Sequence, residues 1–491
     1  MPEENRQNQP GLKLLAARTL KWNTIDRVAS QVLYAVVGIV LANVLSQEDF
    51  GLVGVIIVFQ AFAILFVDSG FGAALLQKKD CDEADYSTVF WFNLLVSVII
   101  YWILFFAAPI IADIFQGDRR LIPLSRVMFL SFILNGLGIV QTNRLMKKMD
   151  VKQVAVANVL GLAISGGIAM GLALGGFGAW ALVWQTVALG AVKTGWLWVT
   201  GRWHPELRFS RKSLQSIWRV GISVFSSSLL NTVCLNIYNF VIGAFYNLRL
   251  LGIYTQADKW SKMGSASISQ VLTATFVPLL ARFQDNRTDF HRYMGRINRF
   301  AAFIVFPALG ALTVLAEPIF HFLFGSKWDA SIPLFQILCV RGVFVVLISL
   351  ITNYILALGL ARLIMTVEIV KDVITAIAIF ATIWFGSVEL LVWGQMAASV
   401  LTFIFVIYLG CQSTGYPLFR FLKDLFPYCA LSIAAMGAVF LLLCLLHGPT
   451  LQILAGLTLG GVIYWGVLKI AGSVTLTDAE AYLLGRFRRR I

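Results

Sequence analysis

Charge is scarce in this chain. Only 13% of its 491 residues are Asp, Glu, Lys or Arg, and 59% are hydrophobic. A soluble domain carries roughly 25% charged and 45–50% apolar residues, so a water-exposed fold of this size could not cover its apolar surface. Histidine is scarcer still: His204, His291, His321 and His447 are scattered and form no HExxH pair. The six cysteines (Cys81, Cys234, Cys339, Cys411, Cys429 and Cys444) show no CxxC or metal-ligand spacing. Most fall in apolar runs, where Cys behaves as a small hydrophobe; neither a disulfide framework nor a metal site is expected. The sequence has no GxxxxGK[ST] phosphate loop, no GxSxG and no paired-carboxylate site, which argues against nucleotide hydrolysis and acyl or glycosyl chemistry. It also lacks any long polar loop that could hold the catalytic groups of a membrane polymerase or glycosyltransferase. The polar start, Met1 to Lys21, has no short apolar core or small-residue cleavage site of a signal peptide, so no processing is expected.

Long, continuous apolar runs are abundant. In lipid every backbone polar group needs an internal partner, so spans must be helices or closed barrels. Barrel strands would be about 10 residues and alternate in polarity, whereas these runs are about 20 residues and unbroken. The reading is an all-α membrane protein with about fourteen helices. They are expected near 22–44, 50–69, 88–113, 121–142, 153–175, 177–199, 219–244, 250–280, 299–322, 332–357, 364–385, 388–409, 427–446 and 451–471. The longest connections are expected near 200–217, 281–298 and 410–426.

The net charge of +14 would suggest nucleic acid in a soluble protein. Here its placement explains it, and no nucleic-acid partner is expected. With the N-terminus in the cytoplasm, only Arg119, Arg120, Arg249 and Lys327 fall in outer loops, as the positive-inside rule requires. Basic groups such as Arg144, Lys147, Lys148 and Lys152, or Arg282, Arg287, Arg292, Arg296 and Arg299, then face the cytoplasm. They set topology and touch anionic headgroups; the functional alternative is that some gather an anionic substrate.

The halves look duplicated. Gly178-Ala179-Trp180 opens one span and Gly386-Ser387-Val388 another; Phe50-Gly51-Leu52 is echoed by Leu251-Gly252-Ile253, and Pro123 by Pro333. The offset is about 200–210 residues each time. Six helices per copy leave both copies in the same orientation, the parallel-repeat arrangement of carriers that work by alternating access. The expected organisation is a cytoplasmic segment at 1–21, an N-lobe at 22–200, a linker at 201–217 and a C-lobe at 218–410. Two accessory spans follow at 411–472 and a basic cytoplasmic tail at 473–491.

Charges inside spans are few and costly, roughly 2.5–3.5 kcal/mol each at mid-membrane. The run Tyr254 to Gln270 is too polar to face lipid. Asp258, Lys262, Ser265 and Ser269 share one helical face, and Asp258 can pair with Lys262 at i,i+4. Glu368 can pair with Lys371 at i,i+3, with Asp372 beside them. Two readings stay open: self-compensating ion pairs, or a cationic cavity made by Arg27, Lys193, Lys259, Lys262 and Arg341 that would suit pyrophosphate. Lys193 and Arg341 have no acid within one turn. Asp26 beside Arg27 reads equally as a helix-entry pair.

Four passages resemble the Wzx-type, polysaccharide-transport branch of the MATE-like (MOP) flippase superfamily, which serves lipopolysaccharide, O-antigen and colanic-acid export. They are Leu41 to Leu52 with Asp68-Ser69-Gly70-Phe71-Gly72 and Gln77-Lys78; Thr275 to Asp285; Phe324-Gly325-Ser326-Lys327-Trp328 with Pro333 and Leu338; and the basic loop after the fourth span. The resemblance implies fourteen helices in two pseudo-symmetric six-helix lobes plus two accessory helices, with both termini cytoplasmic. It implies a flippase in the bacterial inner membrane, acting on an undecaprenyl-pyrophosphate-linked oligosaccharide, and not an enzyme. It implies no bound cofactor, but coupling to H+ or Na+, for which Asp258, Glu368 and Asp372 are the candidate acids. The partners expected are that substrate, membrane lipids and polysaccharide polymerase machinery, with the chain a monomer. The alternatives are a drug/cation antiporter of the same fold and, from another class, a membrane glycan-processing enzyme.

Overall fold

A computed structural model describes residues 9–68, 70–78, 81–284, 286–473, 475–477 and 480. The first eight residues, Ser69 and the basic tail from 481 onward lie outside the described residues. Helices and turns account for the described chain, with no strand among the described residues. The chain divides into two compact units, Met1–Gly252 and Ile253–Ile491.

The first unit holds α1 (Gln9–Val44), α2 (Gln47–Asp68), α3 (Phe71–Gln77), α4 (Glu83–Ile114), α5 (Leu121–Met128), α6 (Leu130–Lys147), α7 (Val151–Leu174), α8 (Trp180–Gly201) and α9 (Arg211–Phe245). The first residues of α10 (Leu248–Ala281) also belong to it. Helix α7 packs between α1 and α8. Its contact face is made of small residues (Ala157, Gly161, Ser165, Gly166, Ala169), which let membrane helices approach closely where lipid removes the hydrophobic drive for association. On α4 the side chains of Leu95, Ile99, Trp102, Ile103, Phe106, Ile110 and Ile114 are exposed at three- and four-residue spacing. An exposed apolar stripe of that length is a lipid face.

The second unit holds the rest of α10, α11 (Arg287–Val314), α12 (Ala316–Phe324), a 3-10 helix (Gly325–Ser331), α13 (Ile332–Ala357), α14 (Ala361–Ile383), α15 (Val388–Thr414), α16 (Leu418–Leu443) and α17 (Pro449–Ile470). Its core lies where α11, α13, α15 and α16 meet, around Ala301, Val305, Leu309, Ile351, Tyr354 and Ala435. The last two helices dock on this core through α11·α16 and α12·α17 packing.

Ten helical segments among the described residues are long and apolar enough to cross a membrane. The expected spans near 177–199, 219–244, 250–280 and 364–385 are also helical, as α8, α9, α10 and α14, but fall outside those ten. For α10 and α14 the reason is charge: they hold the groups singled out above, and a polar helix crosses only where protein or water covers its polar side. The expected span at 121–142 is split at Phe129, whose helical dihedrals (φ −67°, ψ −14°) let α5 and α6 run on as one 27-residue segment. The connection expected at 281–298 is mostly helix. Asn286 caps α11 by accepting from the backbone N–H groups of Thr288 and Asp289, so Arg292, Arg296 and Arg299 sit on a helix rather than in a loop.

Helices α2 and α10 begin alike. Ser46 and Asp49 cap α2 reciprocally: Ser46 N–H donates to Asp49 Oδ2 (2.9 Å) and Asp49 N–H to Ser46 Oγ (3.1 Å). At the same offset, Asn247 Oδ1 accepts from Leu250 N–H (2.7 Å) at the start of α10. The two starts cross at glycines. A Cβ on Gly51 would lie 1.8 Å from the carbonyl oxygen of Leu248, and one on Gly252 1.8 Å from that of Gln47. No residue other than glycine fits either position without moving backbone. Arg249 Nε closes the crossing on Gln47 Oε1 at 2.7 Å.

Candidate functional site

The polar stretch of α10 forms as its sequence dictates. Asp258 is buried and its Oδ2 accepts from Lys262 Nζ at 2.6 Å, one turn on. The Lys262 side chain stays 43% exposed, while that of Asp258 is 9% exposed. Burying a carboxylate calls for a counter-charge and saturated lone pairs. Here the counter-charge is present, but Asp258 Oδ1 has no hydrogen bond among the described residues. The nearby Gln256 accepts from Trp260 Nε1 at 3.1 Å and leaves its own Nε2 without a bond. Lys259 lies with its ammonium 5.2 Å from the centroid of the Trp260 ring, a cation–π contact.

Helix α13 supports this face from behind. A Cβ on Gly342 would touch Ser265 at 3.2 Å, and Asn353 Nδ2 donates to Thr273 Oγ1 at 2.8 Å. Arg341, next to that contact, is half-buried on α13 and donates from Nε to Ser399 Oγ of α15 at 3.1 Å. No acid pairs with it among the described residues. On α14, Lys371 and Glu368 form a short ion pair, and the adjacent Asp372 has one buried carboxylate oxygen without a hydrogen bond among the described residues.

In the first unit, Asp26 accepts from Ser30 Oγ (3.1 Å) and from Asn158 Nδ2 of α7 (3.0 Å). Lys193 of α8 lies within electrostatic reach of that carboxylate, so the acid absent from its own helical turn is supplied by α1. Arg27 is exposed. The second unit thus brings Lys262 to Asp258 and Lys371 to Glu368 and anchors Arg341 on a hydroxyl, while the first sets Lys193 near Asp26.

Three charge clusters escape a reading by sequence alone. Asp424 of α16 takes Arg299 Nη1 and the Tyr416 hydroxyl, each at 2.6 Å. Lys78 bridges Asp85 at 2.6 Å, and Lys147 donates to the backbone oxygens of Leu75 and Lys78 and to Cys81 Sγ. Arg144 pairs with Glu83 at 3.0 Å and stacks on the Trp203 ring at 5.6 Å. Arg299, Lys147 and Arg144 read as topology-setting loop charges. One signal existed for the first cluster: Asp424 is an acid in a stretch otherwise basic or apolar, whereas Glu83 and Asp85 sit in an acidic run with Asp80 and Asp82.

Long apolar helices and a lipid-facing stripe define a multi-pass membrane protein, and a solved fold agrees. The inward-facing conformation of a multidrug-resistance MATE family transporter of the MOP superfamily superposes with a TM-score of 0.61, covering 80% of this chain and 98% of that one at 16% identity. The chain belongs to the polysaccharide biosynthesis protein family, which matches residues 40–333, well over half its length. It is similar to the succinoglycan biosynthesis transport protein ExoT of Rhizobium meliloti, 24% identical with 91% of each chain covered. It is also similar to the lipopolysaccharide biosynthesis protein WzxC of Escherichia coli, 26% identical with 66% of each covered. The resemblance drawn from the four sequence passages is thereby borne out.

Proposed function

We propose that the chain is a flippase that carries an undecaprenyl-pyrophosphate-linked oligosaccharide from the inner to the outer leaflet of the bacterial cytoplasmic membrane. It does so by alternating access and carries out no covalent chemistry. The observation that bears most weight is the family match combined with end-to-end similarity to a polysaccharide transport protein. The MATE likeness supplies the fold alone, so the antiporter reading rests on less. The duplicated-unit organisation, with copies at 22–200 and 218–410 and accessory spans at 411–472, is supported by the matching caps at Ser46 and Asn247. The basic residues along the first turns of α11 and the end of α6 support a cytoplasmic N-terminus and, with an even helix count, a cytoplasmic C-terminus.

Among the proposed cationic residues, Arg341 has the strongest case. It holds its charge half-buried on a neutral hydroxyl, and a guanidinium without a carboxylate keeps its remaining N–H donors for phosphate oxygens. Lys259 and Lys262, and Arg27 and Lys193, are proposed as further phosphate contacts. Asp258 and Asp372, each with an idle carboxylate oxygen, and Glu368 are proposed to take up H+ or Na+. The test is a deletion strain assayed for surface polysaccharide and for undecaprenyl-linked repeat units. Loss of polysaccharide with repeat units trapped on the cytoplasmic side is the expected result. Intact polysaccharide, with new sensitivity to organic cations, would overturn it in favour of the antiporter.

A further inference from the structure

One end of the second unit holds an open cleft of about 760 Å3. It lies where α11 and α16 finish and α13, α15 and α17 begin, with α12 forming part of the wall. That volume falls inside the range of about 300–1,000 Å3 typical of small-molecule sites. None of Asp258, Lys259, Lys262 or Arg341 lines it.

The lining has a consistent chemistry. Trp393 is half-exposed and offers a broad apolar face. Glu317 and Glu389 are exposed in the first turns of α12 and α15, where negative side chains interact favourably with the helix dipole. No Lys, Arg or His lines the cavity among the described residues. Gln336 donates its Nε2 to the Thr313 carbonyl (3.2 Å), and Gln452 donates its own to the carbonyls of Leu443 and Leu446 (3.3 and 2.9 Å). Gln452 thus spends both amide N–H groups and Gln336 one of its two, and both amide oxygens remain as acceptors. The cavity presents four acceptor groups, two carboxylates and two amide oxygens, against two donors, the second Gln336 N–H and the N–H of the one indole.

An acceptor-rich rim selects a donor-rich ligand, and the two unneutralised carboxylates repel acidic ones. The indole calls for a ligand with a flat apolar face. A pyranose ring satisfies all three demands, with hydroxyl or amine donors at its edge and C–H groups on its face. We propose that this cavity is a carbohydrate-binding site for neutral or amine-bearing pyranose rings that excludes uronic and other acidic sugars. It deepens the flippase reading and rests on it for its role, as a hold for the glycan moiety away from its phosphate anchor.

The site is tested by binding alone. The full chain in lipid nanodiscs is titrated with cellobiose, glucosamine, glucuronic acid and tetraphenylphosphonium, with saturation-transfer NMR as the readout. Cellobiose or glucosamine should bind saturably and glucuronic acid should not. Glu389→Gln and Trp393→Ala should each weaken sugar binding by at least about tenfold, the loss expected when a hydrogen bond to a charged acceptor or its packing is removed. Both side chains are exposed, so unchanged melting curves should accompany the loss. Glu317→Gln provides a second conservative variant if Trp393→Ala unfolds. The proposal is overturned if no sugar binds saturably, if binding survives all three changes, or if tetraphenylphosphonium takes the cavity in place of sugar. The deletion strain separates the two readings: export lost with no sugar binding sinks the cavity alone, and sugar binding with export intact sinks the flippase alone.

Discussion

The Arg299–Asp424–Tyr416 cluster allows a quantitative test of how α16 is held on α11. Asp424 is 8% exposed at its side chain and takes two short hydrogen bonds, one from a guanidinium and one from a hydroxyl. Arg299 is 36% exposed. The two partners are therefore not equivalent when orphaned. In Arg299→Ala a buried carboxylate keeps only the Tyr416 hydroxyl, and an uncompensated buried charge costs about 3–5 kcal/mol. In Asp424→Asn the residue left behind is a guanidinium that reaches water, so the loss is about 1–3 kcal/mol, that of charge-assisted hydrogen bonds. Arg299→Met combined with Asp424→Leu removes both charges and leaves only Tyr416 short of an acceptor, so it should be less damaging than Arg299→Ala. The order of unfolding midpoints in a mild detergent, read by thermal denaturation or titrated SDS, should be wild type, then Asp424→Asn or the double variant, then Arg299→Ala. If Asp424→Asn proves as damaging as Arg299→Ala, or the double variant is the least stable of all, the reasoning from exposure is wrong.

Three further outcomes follow from geometry. Lys262→Gln strands buried Asp258 and should lower the unfolding midpoint clearly, whereas Asp258→Asn frees a half-exposed lysine and should fold nearly normally while losing gradient-driven export; equal destabilisation by both would mark a purely structural pair. Gly51→Ala and Gly252→Ala each place a methyl 1.8 Å from a carbonyl oxygen, so each should cost at least about 1–3 kcal/mol in forced backbone movement, seen as reduced folded yield on size-exclusion chromatography. Asp118, in the turn between α4 and α5, has its carboxyl held below the usual range chiefly by the hydrogen bond from Arg120. A depressed acid stabilises the fold above its unfolded pKa of about 3.9 and loses that contribution as pH falls through the folded value. Asp118→Asn should therefore lower the midpoint at pH 7 by a small amount, since Arg120 is largely exposed and such pairs are worth below about 1 kcal/mol. The difference from wild type should close in acid.

Much of the fold was legible because lipid leaves so few options. Runs of about 20 apolar residues can only be helices, and each of the fourteen expected stretches is helical. Local pairings were equally legible: i,i+4 geometry alone puts Lys262 on Asp258. What could not be read were partners supplied by other helices. Lys193 has no acid in its own turn, and its neighbour Asp26 comes from α1; Arg341 ends on Ser399, a residue with no distinguishing pattern. The same limit hid Asp424, whose neighbours Arg420 and Lys423 suggest a basic loop until α16 is seen to start at Leu418 and bury the acid against α11.

The glycine crossing of α2 and α10 also constrains how the sequence can drift. In an ordinary core, a side chain that grows can be offset by a neighbour that shrinks, and pairs of positions change together. Gly51 and Gly252 press on main-chain carbonyls, those of Leu248 and Gln47, and no substitution makes a carbonyl smaller. Each glycine must therefore be kept on its own account, whatever happens at the other. Residues around this crossing are free to diverge, while both helix starts stay bound to the same letter at its centre.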